Sequence, residues 1–183
     1  MKGILLILIL TFSFQSWTKA DDISDFEIEG MSTGDSLLDY FSKSEIKKNK
    51  KNYYNNDEII PVYFENRSEF KSYSGVQLHY RNTDKSYKII AISGIILFKN
   101  NINNCKKKQN EVFYEIKDMF PNGSIDKFRT AHAQDKSGKS YIISRTIRLD
   151  SGDNISVDCY DWTKKMGYDD HLRISIITKN FLY

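Results

Sequence analysis

Beyond Pro121-Asn122-Gly123 the chain alternates apolar and polar residues through four stretches, 125–133, 139–149, 154–162 and 171–181. A period of two is the mark of strands with one buried face. The segments between them include Asp135-Lys136-Ser137-Gly138 and Asp150-Ser151-Gly152-Asp153, turn-forming sequences too short for a parallel crossover. A meander of antiparallel strands is the expected product.

The stretch ahead of that stop signal has the other period. Across 103–120, Cys105, Val112, Ile116 and Met119 fall three, four or seven residues apart and share one face of a helix, with Lys106, Lys107 and Lys108 starting its wet side. Further upstream, 59–64 reads as a strand that Pro61 confines to an edge or a strand start. Val76, Leu78 and Tyr80 alternate with Gln77, His79 and Arg81, and Asn82-Thr83-Asp84 turns the chain into the apolar run 87–98. These two stretches form an expected antiparallel pair, and Gly94 suggests a bend or bulge in the second. Residues 25–30 alternate like a short strand. They lead to Ser32, an expected helix cap with Asp35 in the first turn, Leu37, Leu38 and Phe41 as the apolar stripe, and basic residues at 47–51 as the helix end.

Helix, strands, helix, strands is an α+β order. The expected fold is an antiparallel sheet of about 6–7 strands with two main helices packed on one face. Residues 21–183 fit one domain, and the order also permits two helix-plus-meander halves, 25–98 and 99–183, without any residue-level repeat between them.

Residues 1–20 have a different character. Met1-Lys2, the apolar run 4–14 and Ser16-Trp17-Thr18-Lys19-Ala20 follow the layout of a secretory signal peptide. The apolar run is shorter than the ~20 residues a spanning helix needs, so cleavage after Ala20 should leave no transmembrane anchor. The expected location is the periplasm or outside the cell. Losing Lys2 and Lys19 takes the 27 basic residues to 25 against 24 acidic ones, a net +1 that gives no global reason to bind nucleic acid.

Cys105 and Cys159 are the only cysteines, and in an oxidising compartment such a pair is expected to form a disulfide. Each lies on the apolar side of its element, so a helix packed on the sheet brings the sulfurs together. The bridge would close a loop of roughly fifty residues, for which chain entropy gives about 4 kcal/mol. His79, His132 and His171 have no spacing that pairs them with a cysteine as metal ligands, and no cofactor-binding pattern is read.

The segment Ile28-Glu29-Gly30-Met31-Ser32-Thr33-Gly34-Asp35-Ser36-Leu37 resembles the Gly-Met-Thr/Ser opening of small envelope domains with the beta-lactamase-inhibitor-like fold. It lacks the lipidation cysteine and the Leu-Gly-x-Pro of the lipoprotein member that serves the outer-membrane barrel-assembly machinery, so that role is not implied. Together with the leader and the two cysteines, the chain is similar to uncharacterised short secreted proteins of AT-rich marine bacterial genomes. The resemblance implies a compartment and a fold, and no activity.

Three functions remain open on these residues. The first is an exported non-enzymatic domain that binds an envelope protein, peptide or other envelope component through its sheet surface or a basic, aromatic patch of Lys43, Lys47, Lys48, Lys50, Lys51, Tyr53 and Tyr54. The second is an exported hydrolase using the carboxylates of Asp158, Asp161, Asp169 and Asp170 with His171. The third is a structural subunit of an envelope assembly. No Gly-x-Ser-x-Gly elbow is present, and the acidic cluster reads first as turns and a solvated strand face. Oligomeric state is not legible in the sequence.

Overall fold

Seven strands make one antiparallel sheet in which the last strand in sequence lies at the centre. The computed structural model describes residues 23–182 of the 183-residue chain, and the leader read over 1–20 lies outside them. After α1 (Lys43–Lys48) come β1 (Ile59–Glu65), β2 (Gly75–Arg81) and β3 (Ala91–Leu97), then α2 (Ile102–Met119). A second meander follows as β4 (Ser124–Ala131), β5 (Tyr141–Arg148), β6 (Asn154–Asp161) and β7 (His171–Ile177), and α3 (Lys179–Leu182) closes the described chain. The spatial order is β1-β2-β3-β7-β6-β5-β4, so β7 joins the two meanders by pairing with β3 on one side and β6 on the other.

Because side chains alternate, the register sorts the sheet into two faces of different chemistry. One face carries Val62, Phe64, Val76, Leu78, Ile92, Ile155, Val157, Cys159, Leu172, Ile174 and Ile176, all buried. Helix α2 covers it with Cys105, Gln109, Phe113 and Ile116, which recur at helical spacing. Full burial of a side chain such as Phe113 contributes roughly 1.5–3 kcal/mol. The amide of Gln109, buried in that layer, donates to the carbonyls of Ile143 and Val157, each at 2.7 Å. The Cys105–Cys159 disulfide joins α2 to β6 with Cα atoms 5.9 Å apart.

The second main helix does not form. In its place are a 3-10 turn over Leu37–Asp39 and the six-residue α1. Ser32 caps no helix, although its N–H does donate to Asp35 at 2.9 Å. Backbone groups that a continuous helix would use internally are taken by another segment. Gly34 N–H donates to the Ile89 carbonyl, Ile89 N–H to that of Asp35, and Leu37 N–H to that of Tyr87. The helix therefore starts only at Ser42, which with Glu45 forms a reciprocal capping box. Those same bonds keep 87–89 out of β3.

Other differences have equally local causes. The expected strand at 25–30 is a 3-10 turn, Ile23–Asp25, followed by a single bridge between Ile28 and Met31. The final strand stops at Ile177 because Thr178 donates through both N–H and Oγ1 to the Ile90 carbonyl, and Asp153 then accepts the Lys179 N–H that opens α3. Gly94 makes no bulge. It sits in regular register with Val76 and Ile174, and its missing Cβ is space taken by the ring of Tyr73.

Candidate functional site

The second face of the sheet is polar at its middle and aromatic at one end. Ser93, Ser175, Ser156, Ser144 and Thr146 form a buried hydroxyl band, with Ser93 and Ser175 hydrogen-bonded at 2.9 Å. Asp158 lies within it, accepting from Ser144 Oγ and from Ser156 Oγ at 2.9 Å. Burial raises its pKa against the effect of those donors and of the Arg173 charge.

Toward the N-terminal end of β7 this face opens into a cleft of about 590 Å³. Its floor is Gln77 of β2, Ile95 and Leu97 of β3, Tyr160 of β6, and His171 and Arg173 of β7. Register explains the grouping, since Arg173 faces Ile95 and Asp158 while His171 faces Leu97 and Tyr160. One wall is Asn52, Tyr53 and Tyr54 together with Tyr63 and Glu65 of β1. The opposite wall is His132, Gln134, Trp162, Tyr168 and Asp169. This second wall is tied together by its own rings, His132 and Tyr168 lying 4.2 and 4.8 Å from Trp162, and on the floor Tyr160 stacks on His171 at 4.4 Å.

Electrostatically the cleft is organised around one cation. Arg173 holds its guanidinium carbon 5.0 Å from the centre of the Tyr160 ring, its Nε is buried with no hydrogen-bond partner, and it joins no ion pair among the described residues. Burial, then the Arg173 charge, push the neighbouring imidazoles down: His79 to about 3 and His132 in the same direction. His171 falls to about 4, chiefly by burial, with its bond to the Asp169 carbonyl working against the shift. These histidines are neutral at pH 7. The Nδ1 of His171 donates to that carbonyl at 3.1 Å, so Nε2, buried and without a partner, is left as an acceptor. The buried Trp162 Nε1 is an unpartnered donor.

The sequence candidates are dispersed by this geometry. Lys43, Lys47 and Lys48 stay exposed on α1, whose Ile46 enters the core of the apolar face. Lys50 and Lys51 straddle the β1 edge, one ammonium 5.8 Å over Tyr80 and the other 5.7 Å over Tyr63, rings on opposite faces of the sheet. Only Tyr53 and Tyr54 of that group line the cleft. Among the acidic residues, Asp170 accepts the Trp162 N–H at 2.9 Å, Asp158 belongs to the hydroxyl band, and Asp169 with His171 lines the cleft. Asp135 and Asp153 are turn residues, each bound to neighbouring serines. No group of three or more His, Cys, Asp or Glu among the described residues is placed to hold a metal ion.

Arg173, Gln77, Tyr63, Tyr160 and Trp162 were not distinguished by the sequence. The available signal was the alternation His171, Arg173, Ser175 against Leu172, Ile174, Ile176, which puts an arginine on a definite face of a central strand. No family model, curated protein or solved structure matches this chain. The cleft is therefore read from its own chemistry.

Proposed function

We propose that the chain is an exported, non-enzymatic binding domain that receives an envelope component in the cleft over β7, in the periplasm or outside the cell. The observation that carries this reading is the pair of aromatic walls, Tyr53, Tyr54 and Tyr63 facing Trp162 and Tyr168 across a floor that holds Tyr160 and unpartnered polar groups. Concave sites with aromatic lining and a few placed polar atoms are where small ligands bind. The histidines support binding over proton transfer, since a general acid or base works best with a pKa near the operating pH and His79 and His171 are held at about 3 and 4. Export is supported by the Cys105–Cys159 bridge, a bond that persists in oxidising compartments.

The test is nuclear magnetic resonance of the ¹⁵N-labelled full chain against four classes of ring compound: monosaccharides, aromatic acids, nucleosides and aromatic dipeptides. The chain has two tryptophans, Trp17 and Trp162, and a Trp17→Phe variant assigns the indole signal of the cleft. Shifts at Trp162 and along β7 with at least one class are the expected result. Silence at Trp162, or shifts confined to the α1 lysines, overturns the cleft as the site. Turnover of a compound in the same tubes overturns the non-enzymatic reading and returns the hydrolase to first place.

A further inference from the structure

Resting on that cleft as the binding site, we infer that its ligand is an acidic sugar: a pyranose ring seated against the aromatic walls with its carboxylate on Arg173. Three observations converge on this chemistry.

The first is charge. A guanidinium stays protonated at any physiological pH, and its flat array of N–H donors matches a carboxylate in a two-pronged contact. Arg173 has no such partner among the described residues. The carboxylate facing it across the β6–β7 pair, Asp158, already binds two serines. A half-buried guanidinium that makes no direct ion pair is incompletely compensated, and an incoming anion relieves it. Glu65 and Asp169 line the same cleft, which favours a ligand with one negative charge over a phosphate with nearly two.

The second is shape. The rings of Tyr53 and Tyr168, 50% and 52% exposed, stand on opposite walls of the cleft, open aromatic surfaces of the kind that take the C–H face of a sugar ring. The cleft volume is within the range that encloses a small ligand.

The third is the pattern of unpartnered polar atoms. Trp162 Nε1 needs an acceptor and His171 Nε2 needs a donor, and the amides of Asn52 and Gln134 stand on the walls. An aromatic acid would stack and pair with Arg173 but leave these groups unsatisfied. Sugar hydroxyls both donate and accept, and so match a site that carries both kinds of group.

The experiment titrates the full-length Trp17→Phe protein and follows Trp162 emission, with calorimetry alongside. The ligands are glucuronate, galacturonate and N-acetylneuraminate, set against glucose, galacturonate methyl ester, benzoate and adenosine monophosphate. At least one acidic sugar should bind tenfold or more tightly than glucose, and the methyl ester of galacturonate, which loses only the charge, should fall to the level of glucose. Arg173→Gln should erase the preference, so that the acidic sugars bind no more tightly than glucose does to the same variant. The methyl ester comparison reads the same contact in protein with an intact Arg173, so the inference stays testable if Arg173→Gln fails to fold. A preference for the uronates points to a wall polysaccharide as the source and a preference for N-acetylneuraminate to a sialylated glycan, and either supports the inference. Equal binding of glucose and the acids overturns it, as does preferred binding of benzoate or the nucleotide, although in those cases the cleft itself stands. No response from any of the seven compounds overturns both.

Discussion

The ring of Tyr160 lies 4.4 Å from that of His171 and 12° from parallel, the two residues facing each other across the β6–β7 ladder. With one face against a phenol and Nδ1 held by the Asp169 carbonyl, the imidazole has little access to water, and burial is the main reason its pKa drops to about 4.

That depression makes stability depend on pH. Unfolded histidines take up a proton near pH 6.5, whereas native His171 and His79 do so only near 4 and 3. Between those limits the unfolded state binds more protons, so stability falls as pH falls, by up to about 1.4 kcal/mol per pH unit for each histidine. The carboxylates of Glu29 and Asp84, held low by hydrogen bonds, add their loss only further into acid. Asp158 and Asp170, raised by burial, act in the opposite sense above the unfolded carboxylate value of about 4, and so offset part of the histidine loss at the acid end of that window. Urea midpoints should be level from pH 8 to 7 and drop steadily from 6.5 toward 4.5, with a shallower drop in His171→Asn. A midpoint that does not move between pH 7 and 5 would exclude neutral buried histidines.

The disulfide should account for a large part of the net stability. Cys105 and Cys159 are 54 residues apart in sequence and both fully buried, so the bridge restrains a long loop of the unfolded chain and ties α2 to the sheet. Replacing both cysteines with alanine should lower the unfolding free energy by about 4 kcal/mol, measured by urea denaturation. A loss under 1 kcal/mol would mean that Gln109, Phe113 and Ile116 already hold the helix in place.

Much of the sheet was legible because alternation is a local signal: Ile155, Val157 and Cys159 announce their common face without reference to any other part of the chain. Pairing by short turns was legible for the same reason. The first helix was misread because Ser32-x-x-Asp35 looks like a helix start, and only the distant 87–89 segment removes the backbone groups that the helix needs. The cleft was hidden for a related reason. Alternation put Arg173 and His171 on the polar face, but nothing local says that Tyr53 and Tyr168, far away in sequence, wall that face in.

Gly94 shows how a glycine can be demanded by a neighbour and not by its own backbone. A Cβ there would overlap the ring of Tyr73, whose backbone N–H is in turn held by Glu29 at 2.9 Å. Gly94→Ala should destabilise the protein by about 1–3 kcal/mol, the usual range for overpacking. Removing the obstruction in Gly94→Ala/Tyr73→Ser should give a double-mutant loss smaller than the sum of the two single losses, a coupling read from urea denaturation. Additive losses would show that the ring is not what fixes glycine at this position.

Gln109 is a polar residue at the centre of an apolar interface, 2 % exposed, and its single amide nitrogen serves carbonyls on two neighbouring strands. A leucine would fill nearly the same volume and improve the apolar match with Cys105 and Phe113, so transfer free energy alone predicts a gain. The carbonyls of Ile143 and Val157 would keep their positions and lose a donor, and a buried acceptor stripped of its partner costs about 1–3 kcal/mol. With two acceptors affected, the second effect should win. Gln109→Leu should therefore lower the urea midpoint, and the β5–β6 amides should exchange faster with solvent deuterium because that pair is no longer clamped from above. A variant more stable than the parent would show that these carbonyls are satisfied within the sheet and that Gln109 is held there for another reason.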